Sequence, residues 1–214
     1  MKTQIVCLIL IFLFTSCSSH FGEKAPDTET IRLYARASDV YAQGRFTEVI
    51  NILQEQNNFP PALILRAKAE YFSGDLERAE KSCRRAIKLR PSLLEANLYL
   101  ARILKEKNNL TGAQSITETL LADNPQDIRA LRLAAEISFE AGRLDEALAL
   151  LNRAADSSAE SAMVLLDRAK LLWTAGNANE AALEDLSRAR AMLPWDTPLS
   201  RSIQSLENII KGVM

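Results

Sequence analysis

Residues 67–91 read AKAEYFSGDLERAEKSCRRAIKLRP. Ala67 stands seven residues before Gly74, Ala79 five after it, Ala86 seven further on, and Pro91 closes the stretch. This spacing predicts two helices. The first ends at Gly74, a residue that enters the turn without the penalty a side chain would impose, and the second runs until proline terminates it. Small residues recur where the two antiparallel helices must approach closely, since a larger side chain would push the axes apart.

The same phase extends in both directions. Gly74-Asp75-Leu76, Asn108-Asn109-Leu110, Gly142-Arg143-Leu144 and Gly176-Asn177-Ala178 follow one another at intervals of 34 residues, and Gly44-Arg45-Phe46 lies 30 residues upstream. Ala79, Ala113 and Ala147 occupy one small-residue position, and Ala86, Leu120 and Ala154 a second. Seven residues before each turn stands an alanine: Ala37, Ala67, Ala101, Ala135 and Ala169. Pro91 and Pro125 end two units at the same phase. Self-similarity at such a period is the signature of a stacked repeat array.

The Gly-x-Leu-x-x-Ala pattern with its later Ala and Pro, five times in phase over residues 30–196, resembles the tetratricopeptide repeat family. The resemblance implies an all-α fold, a helical solenoid of five helix-turn-helix units at 30–58, 60–93, 94–127, 128–161 and 162–195. Residues 196–214 are left for a capping helix and tail. Unit 1 is four residues short, ends in Asn57-Asn58-Phe59-Pro60-Pro61, and carries Val49 and Gln56 at positions where Ala is usual, so its second helix is expected to lose about a turn. Unit 4 has Ala159 in place of the terminating proline, and unit 5 needs one extra residue, placed at Ala181-Ala182, to bring Ala189 and Pro194 into phase. Asp196-Thr197-Pro198 begins an N-capped final helix with Leu199, Ile203, Leu206 and Ile210 on one face, the cover that the last unit of a solenoid requires.

Composition agrees with an all-helical chain and narrows its partners. Of 214 residues, 48% are apolar and 25% charged, and 26 basic against 27 acidic residues are mixed along the chain. That mixture predicts no polyelectrolyte face and argues against nucleic acid as a partner.

The N-terminus reads as an address. Lys2 precedes an apolar run from Ile5 to Phe14, too short for a comfortable bilayer span. Phe14-Thr15-Ser16-Cys17 follows and resembles the bacterial lipobox, with Phe14 in place of the usual Leu. The resemblance implies a lipoprotein signal peptide over 1–16, diacylation of Cys17, and a flexible tether over 17–29 containing Gly22, Pro26 and the single histidine, His20. Ser18 is not the Asp that retains enteric-type lipoproteins at the inner membrane, so the expectation is the cell envelope, outer rather than inner membrane, with the repeats facing the periplasm. A plain secretory signal or an uncleaved anchor are the other readings of this segment. Cys7 would leave with the signal and Cys17 would carry lipid, so Cys83 would remain as the lone thiol and no intrachain disulfide could form.

The sequence offers no catalytic constellation. It contains no HExxH, no Gly-rich phosphate loop and no Cys/His cluster, so neither an enzyme nor a bound cofactor or metal is expected. Cys83 reads as a buried, inert thiol, and Glu77 with Lys81 as a solvated i,i+4 ion pair.

In the tetratricopeptide family the first helix of each unit lines a concave groove. Carried onto this chain, the groove positions are Ile31, Tyr34, Ser38 and Tyr41; Ile64, Lys68, Tyr71 and Phe72; Glu95, Leu98, Arg102 and Lys105; Arg129, Arg132, Glu136 and Phe139; and Met163, Leu166, Lys170 and Trp173. Aromatic residues would thus stand beside a basic row of Lys68, Arg102, Lys105, Arg129, Arg132 and Lys170. The expected occupant is a peptide or protein segment with apolar anchors and some acidic character. The Asn of the family's carboxylate clamp is replaced by Lys68, Arg102 and Lys170, so capture of a C-terminal carboxylate is not implied. The alternative is a module for a small hydrophobic or acidic solute, accessory to a transporter, with Tyr71, Phe72 and Trp173 lining one closed pocket.

Overall fold

The computed structural model describes residues 26–155, 161–176, 178–193 and 197–212. The segment 1–16 read as a signal peptide, residues 17–25 of the expected tether with Cys17 and His20, and Ala159, Pro194 and Asp196 lie outside the described residues. Among those described, the secondary structure is entirely helical: α1 Thr28–Ala42, α2 Phe46–Leu53, α3 Pro60–Phe72, α4 Leu76–Leu89, α5 Leu94–Glu106, α6 Leu110–Asp123, α7 Ile128–Glu140, α8 Leu144–Ala155, α9 Ser161–Thr174, α10 Asn179–Ala191 and α11 Pro198–Lys211. Helices α1–α2, α3–α4, α5–α6, α7–α8 and α9–α10 are the five antiparallel pairs, and α11 packs on α9 and α10.

Each pair turns at a residue of positive φ. Four of the five are glycines, and the fifth is Asn108 at φ 60°, the one position where a side chain accepts the left-handed conformation. Two of the second helices then start on side-chain caps: the Asp75 carboxylate accepts from Arg78 N–H, and the Asn109 side chain from Gly112 N–H. Asp27 caps α1, which begins at Thr28, two residues before the boundary expected from the repeat phase.

The small-residue positions are buried as the phase requires. Ala37, Ala67, Ala101 and Ala169 are fully inaccessible, as are Ala79, Ala113, Ala147 and Ala182, with Val49 taking the place in unit 1. Around them Leu53, Leu63, Ile103, Leu131, Leu151, Leu165 and Leu186 are also inaccessible, each contributing roughly 1.5–3 kcal/mol of burial.

Two irregularities have local causes. Helix α10 begins three residues after Gly176, whereas the other second helices begin two after their turn residue. The extra residue of unit 5 is therefore accommodated before the helix and not at Ala181-Ala182; within α10, Ala182 and Ala189 are buried in uninterrupted helical phase. Helix α2 has eight residues against fourteen in α4. Its exposed C-terminal carbonyls are taken up by Arg66, whose Nη1 donates to Leu53 O at 3.0 Å and to Gln54 O at 2.8 Å.

Helix α11 starts with a reciprocal cap. Ser200 N–H donates to Thr197 Oγ1 at 3.1 Å and Thr197 N–H to Ser200 Oγ at 2.8 Å, while Pro198 occupies the first turn. Ile203 and Leu206 are buried on the expected face, and Arg190 reaches buried Glu207 at 2.7 Å.

Candidate functional site

Successive first helices touch one another, α1 with α3, α3 with α5 and α5 with α7, whereas successive second helices do not pack comparably. The stack therefore curves with its first helices inside, and their outward positions form one concave face.

The first half of that face is aromatic. The Tyr41 ring lies 5.5 Å from Phe46 and 6.4 Å from Phe72, Phe46 stacks on Phe72 at 5.3 Å, and Tyr71 meets both Phe72 at 5.3 Å and Tyr99 at 6.1 Å. Five rings from three units thus form one cluster. Contacts of this geometry contribute about 0.5–1.5 kcal/mol each beyond area burial. Phe72 at its centre is 50% exposed. Lys68 Nζ and the Arg102 guanidinium lie 5.3 and 5.6 Å from the Tyr99 ring centre, close enough for cation–π attraction. Burial first, and then the neighbouring Tyr99 and Glu95, push the Tyr41 hydroxyl up to about 12, so it stays protonated and a donor. Tyr34 stands apart, edge-on to Phe59 at 5.6 Å.

The second half is ionic. Lys105 Nζ lies 3.2 Å from Glu136 and 3.1 Å from Glu140 on α7, with its side chain only 13% exposed. Burial works to lower the Lys105 pKa, but the two carboxylates outweigh it and hold it above the ordinary lysine value. Arg132 pairs with Asp167 on α9 at 2.6 Å, and Lys68 with Glu95 on α5. Arg129 turns back to the helix cap Asp127 at 3.0 Å. The expected basic row is thus partly compensated, because Lys68, Lys105 and Arg132 each find a carboxylate on the next first helix. Arg102 and Lys170 have no carboxylate at ion-pair distance among the described residues.

Between α7 and α9 a cleft of about 260 Å³ opens on the same face, lined by Arg132, Phe139, Leu151, Asp167, Lys170 and Leu171. Trp173 and Met163, farther along α9, are 39% and 43% exposed. Tyr71 and Phe72 sit in unit 2 and Trp173 in unit 5, three units apart in the array. The single closed pocket expected for a small solute is not formed by these residues.

Sequence reasoning missed Tyr99, which lies five residues into helix α5 and one step outside the groove offsets. It also missed Glu106, Glu140 and Asp167; the 34-residue interval from Glu106 to Glu140 was the signal available. Glu77 does not pair with Lys81. It reaches Lys107 of the next unit at 2.7 Å. Cys83 is fully buried, and burial pushes its thiol up to about 12, which keeps it protonated and unreactive. No group of metal-ligating side chains is present among the described residues, and none of their helices is long and apolar enough to cross a membrane.

Residues 72–137, which include Phe72, Tyr99 and Lys105, match the family model of the tetratricopeptide repeat. No curated protein sequence matches the chain. Among solved structures, a thermophilic TPR protein of Thermus thermophilus is 20% identical with a TM-score of 0.70, covering 83% of this chain and 98% of that one. A tetratricopeptide repeat protein of Parabacteroides merdae is 19% identical with a TM-score of 0.70, covering 98% of this chain and 79% of that one. MamA of Desulfovibrio magneticus is 20% identical with a TM-score of 0.64, covering 78% of this chain and 97% of that one. The fold is that of a tetratricopeptide-type helical solenoid.

Proposed function

We propose that the chain is a non-catalytic scaffold that holds a peptide or protein segment on its concave face and is anchored in the bacterial cell envelope through a lipidated Cys17. The observation that supports groove binding is Phe72, a large apolar side chain half in solvent at the centre of five rings, one of which, Tyr99, is approached by two cations. Exposed aromatic residues with adjacent guanidinium groups are the usual carriers of interface energy. The compensated charges refine the occupant: an extended or helical segment with an aromatic or aliphatic anchor, whose carboxylate meets Arg102. The envelope setting, outer membrane with repeats toward the periplasm, is supported by the sequence of residues 1–18 alone.

The test is photocrosslinking from position 72 of the membrane-bound protein, with Phe72→Ala and Arg102→Gln as variants. Capture of a defined partner that falls in both variants, at unchanged helicity, supports the proposal; capture indifferent to both sinks the groove. For the anchor, Cys17→Ser should release the protein from membranes into the soluble fraction.

A further inference from the structure

The outer side of the array carries a site that its concave face does not explain. Two clefts occur there in equivalent places, each walled by consecutive second helices and floored by the intervening first helix. One lies between α2 and α4 over Arg66 and measures about 560 Å³. The other lies between α8 and α10 over Arg168 and measures about 250 Å³. The early end of α2 makes the first the larger.

Their charges differ at matched positions. In the α8/α10 cleft, Arg168 is answered by Asp185, with Nε donating to Oδ2 at 2.7 Å, and Glu184 adds a second carboxylate. In the α2/α4 cleft, Ser82 replaces Asp185 and Lys81 replaces Glu184, while Arg78 and Arg85 complete one stripe of α4. The only acid in this lining is Glu70, which accepts from Ser82 Oγ at 2.7 Å and lies 3.7 Å from Arg66. Arg78 is paired with Asp75. Lys81 is exposed and has no carboxylate at ion-pair distance among the described residues; the acid one turn before it, Glu77, is held by Lys107. Arg85 donates to Asn57 O and to Asn58 Oδ1, which leaves guanidinium N–H groups unspent. Although the chain as a whole carries a formal charge of -1, this cleft concentrates positive charge.

We propose that the α2/α4 cleft binds a phosphate ester. A tetrahedral oxyanion accepts from several directions at once, matching an ammonium and a guanidinium converging from one helix. Neutral amides of Asn51, Gln54 and Asn57 on the opposite wall can donate to the remaining oxygens or to the hydroxyls of the esterified group. The volume exceeds what a bare phosphate fills, which is why an ester is assigned. The phosphate can come from a soluble metabolite or from a lipid headgroup.

The test is calorimetric titration of the full chain with glycerol 3-phosphate and, below its micelle concentration, with a short-chain phosphatidylglycerol. Both should bind, and Lys81→Glu should weaken binding about tenfold or more, the order expected for one charge-assisted hydrogen bond. Lys81→Arg should keep it, and Glu184→Lys, in the matched cleft, should leave it unchanged. Lys81 supports no fold contact, so unchanged circular dichroism is expected throughout. Tighter binding of the lipid identifies a headgroup source, and tighter binding of the free ester a soluble one. Absence of binding by either ligand, or affinity indifferent to Lys81→Glu, overturns the proposal. These outcomes are independent of partner capture at Phe72, which lies on the opposite side of the array.

Discussion

Lys105 on α5 holds two carboxylates of the next first helix at once, Glu136 at 3.2 Å and Glu140 at 3.1 Å, and in doing so joins unit 3 to unit 4 across the concave face. Lys105→Met should remove that link and leave two carboxylates side by side, lowering stability by about 1 kcal/mol, since the acids are nearly half exposed and screened. The pH dependence follows from the raised lysine pKa. The contribution is complete below the ordinary lysine value of about 10.4 and is lost as pH rises through the higher folded value. Urea unfolding of wild type and variant should therefore converge above that pH; a constant gap on the alkaline side would refute the assignment.

Ala147 is fully buried where α8 meets α7. Ala147→Leu should overpack the pair and cost roughly 1–3 kcal/mol, read as a lower urea midpoint. A variant as stable as wild type would mean the axes can part freely there.

Asn108 turns at φ 60° where its counterparts are glycine. Asn108→Ala should destabilise by about 1–2 kcal/mol, whereas Asn108→Gly should be neutral or slightly stabilising. Equal melting temperatures for the two variants would contradict the strain argument.

Arg66 closes the end of the shortened α2 and neutralises Glu70, whose side chain is 5% exposed. Arg66→Ala should cost about 3 kcal/mol, the scale for leaving a buried charge unpaired, and amide exchange should accelerate first at Ile50–Leu53. Arg66→Met with Glu70→Leu should recover much of the loss, because position 70 is leucine at the matched place in unit 5, Leu172. Failure of the double variant to improve on the single one would show that Arg66 acts chiefly as the helix cap.

The repeat phase was legible because burial acts on it directly. Ala37, Ala67, Ala101 and Ala169 must be small to let helices touch, and spacing alone finds them. Partnerships across the groove were not legible in that way. Lys105 meets Glu136 and Glu140 at separations of 31 and 35 residues, and Glu77 leaves its helical neighbour Lys81 for Lys107. Such choices depend on which long side chains reach over the curvature of the stack. The site of the extra residue in unit 5 was misplaced for a related reason: alanines in succession at 181 and 182 look interchangeable until packing shows which one is buried.

The links across the concave face also run in one direction, with the cation in the earlier unit and the acid in the later one: Lys68 to Glu95, Lys105 to Glu136 and Glu140, Arg132 to Asp167. The units are for that reason not interchangeable modules. Excising unit 3 would bring Lys68 against Arg129, which occupies in unit 4 the place that Glu95 holds in unit 3. The order of the repeats is written into the chain as a sequence of mating charges, and rearranged arrays would have to be recharged before they could close.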